Sequence, residues 1–270
     1  MRNRPLRIVL STILFTACLS FAMAAGAAPP SVFIEDLTWP EVRDAIAGGA
    51  TTAIYYAGST EQNGPHMALG KHNFVARHVA GRIASALGNA LAYPVMPFAP
   101  TGNAADKSGH MRFAGSVTVT DETFAAVARD VAASARASGF RDIVLMGDHG
   151  GGQKALEVLA SVLDAQWRST GTRVHYIPDV YFATEQRVAA FLQARGLPAG
   201  AHAGLPDTSE LMAIDRAGQW VRRDRMQAGD ATNGVDGDPR QSSAEFGRAF
   251  IDIKVEAAVA QIRQRIRSGG

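Results

Sequence analysis

At 270 residues, with 47% apolar and 19% charged side chains, the chain can bury a full domain core and is too apolar to remain disordered. Its formal charge of +2 includes Arg2, Arg4 and Arg7, which precede an apolar stretch from Ile8 to Met23. Removing those three from the 27 basic residues leaves 24 against 25 acidic ones, which excludes the basic footprint of a nucleic-acid binder.

Residues 1–24 read as a signal peptide: a basic start, an apolar centre and the small-residue cleavage signal Ala22-Met23-Ala24, with Ala25-Gly26-Ala27 as the alternative. Ser11, Thr12, Thr16 and Ser20 interrupt an apolar run that is short of the roughly 20 residues a span needs, so no stable membrane anchor is expected. Cys18, the single cysteine, lies inside this segment, so the mature chain has neither a disulfide nor a thiolate nucleophile. A lipid-bearing Cys18 is the alternative, against which the apolar stretch runs on to Met23. The expected location is periplasmic or secreted.

Residues 25–36 read as a linker, and residues 37–270 as one domain. Thr38-Trp39-Pro40-Glu41 starts a helix with a capping box, and the helix stops at Gly48-Gly49. Thr51 to Tyr56 is a buried strand, and Phe74 to Leu87 repeats at helical spacing, with His78 packed on its apolar face. Ala90 to Phe98 reads as a strand, Ser116 to Val119 as a short one, and Asp121 as the cap of a helix to Ser138. Asp142 to Met146 is a buried strand followed by a helix to Trp167, and Arg173 to Tyr181 alternates like a strand, which makes His175 structural. Helices follow over Thr184 to Arg195, up to Ile214, and from Ser243 to Arg267. Strands alternating with helices predict an α/β fold with a mainly parallel sheet in three α/β/α layers.

Polar chemistry concentrates in the loops. The first is Gly58-Ser59-Thr60-Glu61-Gln62-Asn63-Gly64-Pro65-His66-Met67-Ala68-Leu69-Gly70-Lys71-His72-Asn73, leaving the carboxyl end of a strand, where open α/β sheets bind ligands. The second is Asp148-His149-Gly150-Gly151-Gly152-Gln153, which lacks the spacing of a phosphate loop. The third is Ala201-His202-Ala203-Gly204-Leu205-Pro206-Asp207-Thr208-Ser209, and the fourth begins at Gly234-Val235-Asp236-Gly237-Asp238-Pro239. Ser59 and Ser209 lack a nucleophile-elbow context.

These loops resemble the creatininase (creatinine amidohydrolase) family from about Leu37 to Val255. Glu61, Gln62, Gly64, Pro65, His66 and Leu69 match its first motif, and His149 matches a metal-binding histidine. The departures fall on ligands. Asn63 stands for a metal-binding histidine, His72 for a bridging aspartate, Gly151 and Leu205 for glutamates, and Asp207 for a longer carboxylate. The resemblance implies a metal-dependent amidohydrolase that cleaves a cyclic or non-peptide amide with metal-activated water. It leaves Glu61, His72, His149 and Asp207 for one ion, Zn²⁺ in first place and Mn²⁺ in second. Asp207 is equally readable as a helix cap. His202 matches a catalytic acid/base, Asp148 and His66 join it as catalytic candidates, and Asn63, His110, Gly150 and Gly151 are assigned to the substrate pocket. The expected partner is a small-molecule amide, and the resemblance implies a homo-oligomer. The alternative is an inactive member that binds a small molecule or metal.

Overall fold

The computed structural model describes residues 29–269; the expected signal peptide and residues 25–28 lie outside them. Helix α1, Trp39–Ala47, opens on the expected capping box, with Glu41 accepting from the Thr38 backbone N–H at 2.7 Å. Strand β1, Thr52–Ala57, is buried at every position, as the run of β-branched and aromatic residues requires. Helix α2, Lys71–Leu87, starts three residues before the apolar repeat. Strand β2, Ala90–Ala92, follows.

A small hairpin then pairs β3, Gly102–Asn103, with β4, Ser108–Gly109. Next come α3, Asp121–Ser138; β5, Asp142–Gly147; α4, Gln153–Trp167; and β6, Arg173–Tyr176. Helices α5, Phe182–Gln193, α6, Leu205–Ile214, and α7, Ala244–Gly269, complete the domain. Among the described residues, no helix is long and apolar enough to cross a membrane.

The main sheet is parallel in the order β2-β1-β5-β6. Period-two alternation sends Ile54, Tyr56, Val144 and Met146 to one face, under Val75, Val79 and Ile83 of α2 and Ile251, Val255 and Ile262 of α7. Ala53, Tyr55, Ile143 and Leu145 face Phe124 and Ala128 of α3 and Leu156, Leu159 and Leu163 of α4. These are the three layers expected from the sequence.

Three expected strands are shorter than their sequence pattern. Pro94 and Pro97 have no N–H to donate, so the strand beginning at Ala90 ends at Ala92. Ser116 to Val119 makes a single bridge, Ala99 to Thr118. The strand beginning at Arg173 stops at Tyr176, before a 3-10 turn at Pro178–Val180. The helix expected from Asp121 is capped by Thr120, whose Oγ1 accepts from the Thr123 N–H at 3.1 Å.

The chain moves from β1 through α2 to β2 on one side, then through α3 to β5 on the other. The strand order therefore reverses between β1 and β5, and the crevice beyond their carboxyl ends is a switch point where α/β sheets bind ligands.

Candidate metal centre and its cavity

Both strands at the switch point deliver charge. The loop after β1 carries Glu61, and β5 runs directly into Asp148 and His149. The first turn of α2 adds Lys71 and His72, a 3-10 turn adds His110, the loop before α6 adds His202, and the first turn of α6 adds Asp207. His72, His110, Asp148, His149, His202 and Asp207 all line one cavity of about 710 Å³.

Glu61 is its hub. The side chain is wholly buried. Oε2 accepts from Ser59 Oγ at 2.9 Å and lies 2.8 Å from His149 Nε2. Oε1 has no hydrogen-bond partner, although His72 Nε2, His110 Nε2 and His202 Nδ1 stand 3.3, 3.8 and 3.9 Å away. Burial pushes the Glu61 carboxyl up, but the close contact with His149 and the nearby His72 outweigh it and hold the group well below the ordinary carboxylate range. An ionised carboxylate oxygen left without a partner inside the protein is a costly feature, and ring nitrogens surround it on several sides.

Glu61, His110 and His149 each offer one ligand atom, and these atoms all lie within 4.8 Å of one another. One carboxylate and two imidazoles suit a divalent ion with room for water, Zn²⁺ foremost. The outer ring nitrogens add a condition. Gly151 N–H donates to His149 Nδ1 at 2.9 Å, and the Gln62 amide reaches His110 Nδ1 at 3.0 Å and His202 Nε2 at 2.9 Å. The Gly64 N–H fixes that amide by donating to Gln62 Oε1 at 2.9 Å. Ligation through Nε2 places the ring proton on Nδ1, so an ion entering the triad displaces these contacts. Gln62→Glu should therefore tighten Zn²⁺ binding about tenfold, because a carboxylate accepts the outer His110 proton where the amide opposes it. Calorimetric titration of the metal-free protein reads this directly, and weaker binding would count against the triad.

The group of possible ligand atoms that the fold draws closest together differs from the expected set. Its shared members are Glu61 and His149; His110 joins them from the supposed substrate pocket. His72 is instead held by the charges beside it. Its Nδ1 lies 2.9 Å from Asp148 Oδ2, and its Nε2 lies 2.9 Å from Lys71 Nζ. Lys71 Nζ also pairs with Asp207 Oδ2 at 2.9 Å. Asp207 accepts the Ala203 N–H at 2.9 Å as well, within the first turn of α6, so it neither caps that helix as its leading residue nor joins the triad.

Asp148 accepts from Tyr56 Oη at 3.1 Å and from Lys254 Nζ at 2.9 Å, and Lys254 also reaches Glu210 Oε2 at 2.9 Å. Asp148 thus orients His72 from the cavity wall. Burial raises its pKa, but Lys254 and His72 overcome this and hold it low. Burial likewise raises the pKa of Asp207, and Lys71 more than reverses that.

His66 lies apart from this group. It is buried, its Nε2 is 2.8 Å from Thr208 Oγ1, its Nδ1 is unpartnered, and it is not among the cavity-lining residues. Burial pulls its pKa from 6.5 to about 4, partly opposed by Asp207. A lowered histidine pKa means that the unfolded chain takes up the proton first. Stability is complete above pH 6.5 and falls as pH drops to about 4, by roughly 3 kcal/mol for this group. Urea unfolding across that window should show the slope, and His66→Gln should flatten it; an unchanged slope would remove His66 from the account.

Asn63 is also buried, and its Nδ2 donates to the Glu61 backbone carbonyl at 2.9 Å. It props the loop, and it is not a cavity-lining residue. Gly150 lines the cavity, whereas Gly151 serves through its N–H. A Cβ on Gly151 would collide with the Pro100 carbonyl oxygen, so no carboxylate can be carried there without moving the backbone. His202 lines the cavity with a pKa lowered to about 4, chiefly by burial, and is neutral at pH 7.

Lys71, Gln62, Lys254 and Glu210 escaped the sequence reading as site residues. Lys71 and Gln62 sit inside the first motif, which was the available signal. Lys254 and Glu210 lie on α7 and α6, and only tertiary packing brings them to Asp148.

Comparisons with known proteins bear on the family and the fold. The sequence model of the creatininase family, described as creatinine amidohydrolase, matches residues 35–262. A mycofactocin precursor peptide peptidase of Mycobacterium ulcerans is 26% identical over 247 residues, covering 83% of this chain and 85% of its own. Creatinine amidohydrolase of Pseudomonas putida is 28% identical over 119 residues, 44% of this chain and 45% of its own. A crystal structure of creatinine amidohydrolase superposes with a TM-score of 0.72 at 22% identity, covering 87% of this chain and 98% of that one, and a manganese creatininase gives 0.71. With the family match covering most of its length, the chain belongs to the creatininase family of amidohydrolases.

Proposed function

We propose that this chain is a metal-dependent amidohydrolase that opens a cyclic or other non-peptide amide C–N bond, using one divalent ion held by Glu61, His110 and His149. The observation that carries the reading is the buried, partnerless Glu61 Oε1 facing ring nitrogens at the switch point of the sheet. A bound ion supplies a polarised carbonyl and a water whose pKa falls towards about 7. The chain's own residues do the rest. His202, neutral at pH 7 and facing the cavity, accepts the proton of the attacking water and returns it to the leaving nitrogen. Asp148, bonded to His72, fixes that ring against the cavity wall. Gly150 leaves the cavity mouth open beside Tyr181, toward which a Cβ would point at 3.0 Å from the hydroxyl.

Purified mature protein should hold one Zn²⁺ or Mn²⁺ per chain, lose amide hydrolysis on chelation and recover it when metal returns. The substrate panel should include creatinine-like cyclic amides and short peptides, because relatives carry both kinds of name. Peptide cleavage alone would replace the non-peptide substrate. The loss of donors at Asn63, Gly151 and Leu205 favours one second reading, an inactive member that binds a small molecule; ligand binding without turnover would establish it. The proposed setting is periplasmic or extracellular, as a homo-oligomer, on the strength of residues 1–24 and the family resemblance.

A further inference from the structure

Lys71 is 1% exposed, yet it carries an ammonium group into the layer behind the cavity. A buried lysine is expensive unless paired and hydrogen-bonded, and here the pairing is specific. Its Nζ contacts Asp207 Oδ2 and His72 Nε2, both at 2.9 Å. His72 Nε2 lies 3.3 Å from the partnerless Glu61 Oε1. On the far side of the ring, Asp148 Oδ2 accepts from His72 Nδ1 at 2.9 Å. Two carboxylates and an imidazole lone pair backed by a carboxylate are the donor types that surround a bound divalent ion.

We infer that the Lys71 ammonium fills a cation place built from His72 and Asp207 beside the partnerless Glu61 Oε1 and thereby keeps a second divalent ion out. The inference builds on the one-ion reading above, but it concerns a different place in the centre. Geometry supports substitution of one cation by another. The ammonium donates where an ion would accept lone pairs, so His72 Nε2 and Asp207 Oδ2 face a positive charge in either case. The charge arrives on a rigid carrier, because Gly70 starts α2 directly ahead of Lys71 and His72 is the next residue on the same first turn. The burial cost of Asp207 is offset by Lys71, which holds that carboxylate ionised. The 2.9 Å nitrogen–nitrogen contact has the Lys71 ammonium donating and the His72 lone pair accepting.

The test is a count of bound metal on the full mature protein, stripped with chelator and titrated with Zn²⁺ alone. Wild type should saturate at one ion, and Lys71→Ala, which empties the place, at two. Adding Asp207→Asn to Lys71→Ala should return the count to one. An unchanged count in a folded Lys71→Ala overturns the inference. Two ions on the wild type also overturn it, whether or not the variant folds. Wild type with no ion and Lys71→Ala with one would uphold the role of Lys71 and remove the metal-dependent reading instead.

Discussion

Replacing Lys254 by methionine should cost the protein roughly 3–5 kcal/mol, the usual penalty for removing one partner of a buried ion pair. Methionine matches the length and apolar stem of lysine, so the substitution removes charge with little change in packing. Lys254 Nζ stands 2.9 Å from both Asp148 Oδ1 and Glu210 Oε2 in a buried layer. Without the ammonium, two carboxylates face each other across the gap. Burial and the nearby Asp148 already lift the Glu210 pKa even with Lys254 present. Losing Lys254 raises it further, so the variant keeps most stability at low pH and loses it as pH rises through the Glu210 pKa. This slope is opposite in sign to that of His66. Urea unfolding at pH 5 and pH 8 measures both the cost and its direction, and Glu210→Gln in the variant background should recover part of it. A cost below about 1 kcal/mol at pH 8 would show that water reaches the pair.

The parts of this molecule that follow local rules were legible in its sequence. The capping box at Thr38 and Glu41, the buried runs of β1 and β5, and the loops leaving their carboxyl ends depend on neighbours in the chain. Glu61 and His149 lie in those loops. What escaped was set by tertiary geometry. His110 arrives from a turn 48 residues beyond Gln62, and its ring is oriented by that amide. Lys71 adjoins His72, but its inward direction depends on α2 starting at Lys71 and not at Phe74, where the apolar repeat begins. Asp207 offers the same carboxylate to a helix, a metal or a lysine, and only the 2.9 Å contact with Nζ decides among them.

That decision produces the sharpest contrast between two histidines. His110→Ala should abolish tight Zn²⁺ binding, by more than about a hundredfold, because loss of a direct ligand exceeds the 10–100-fold effect of an outer-shell partner. His149→Ala should do the same. His72→Ala should keep the ion, since His72 Nε2 is engaged by Lys71 and is not among the three ligand atoms grouped around the carboxylate. Removing His72 still leaves Asp148 with Tyr56 and Lys254, so the carboxylate remains paired and the fold persists. Circular dichroism verifies the fold, and calorimetry with Zn²⁺ at pH 7.5 compares the three variants at fixed salt. The reverse outcome, retention in His110→Ala and loss in His72→Ala, would mean that Lys71 moves aside when metal arrives. The ion would then sit on Glu61, His72, His149 and Asp207, the set that the family resemblance implies.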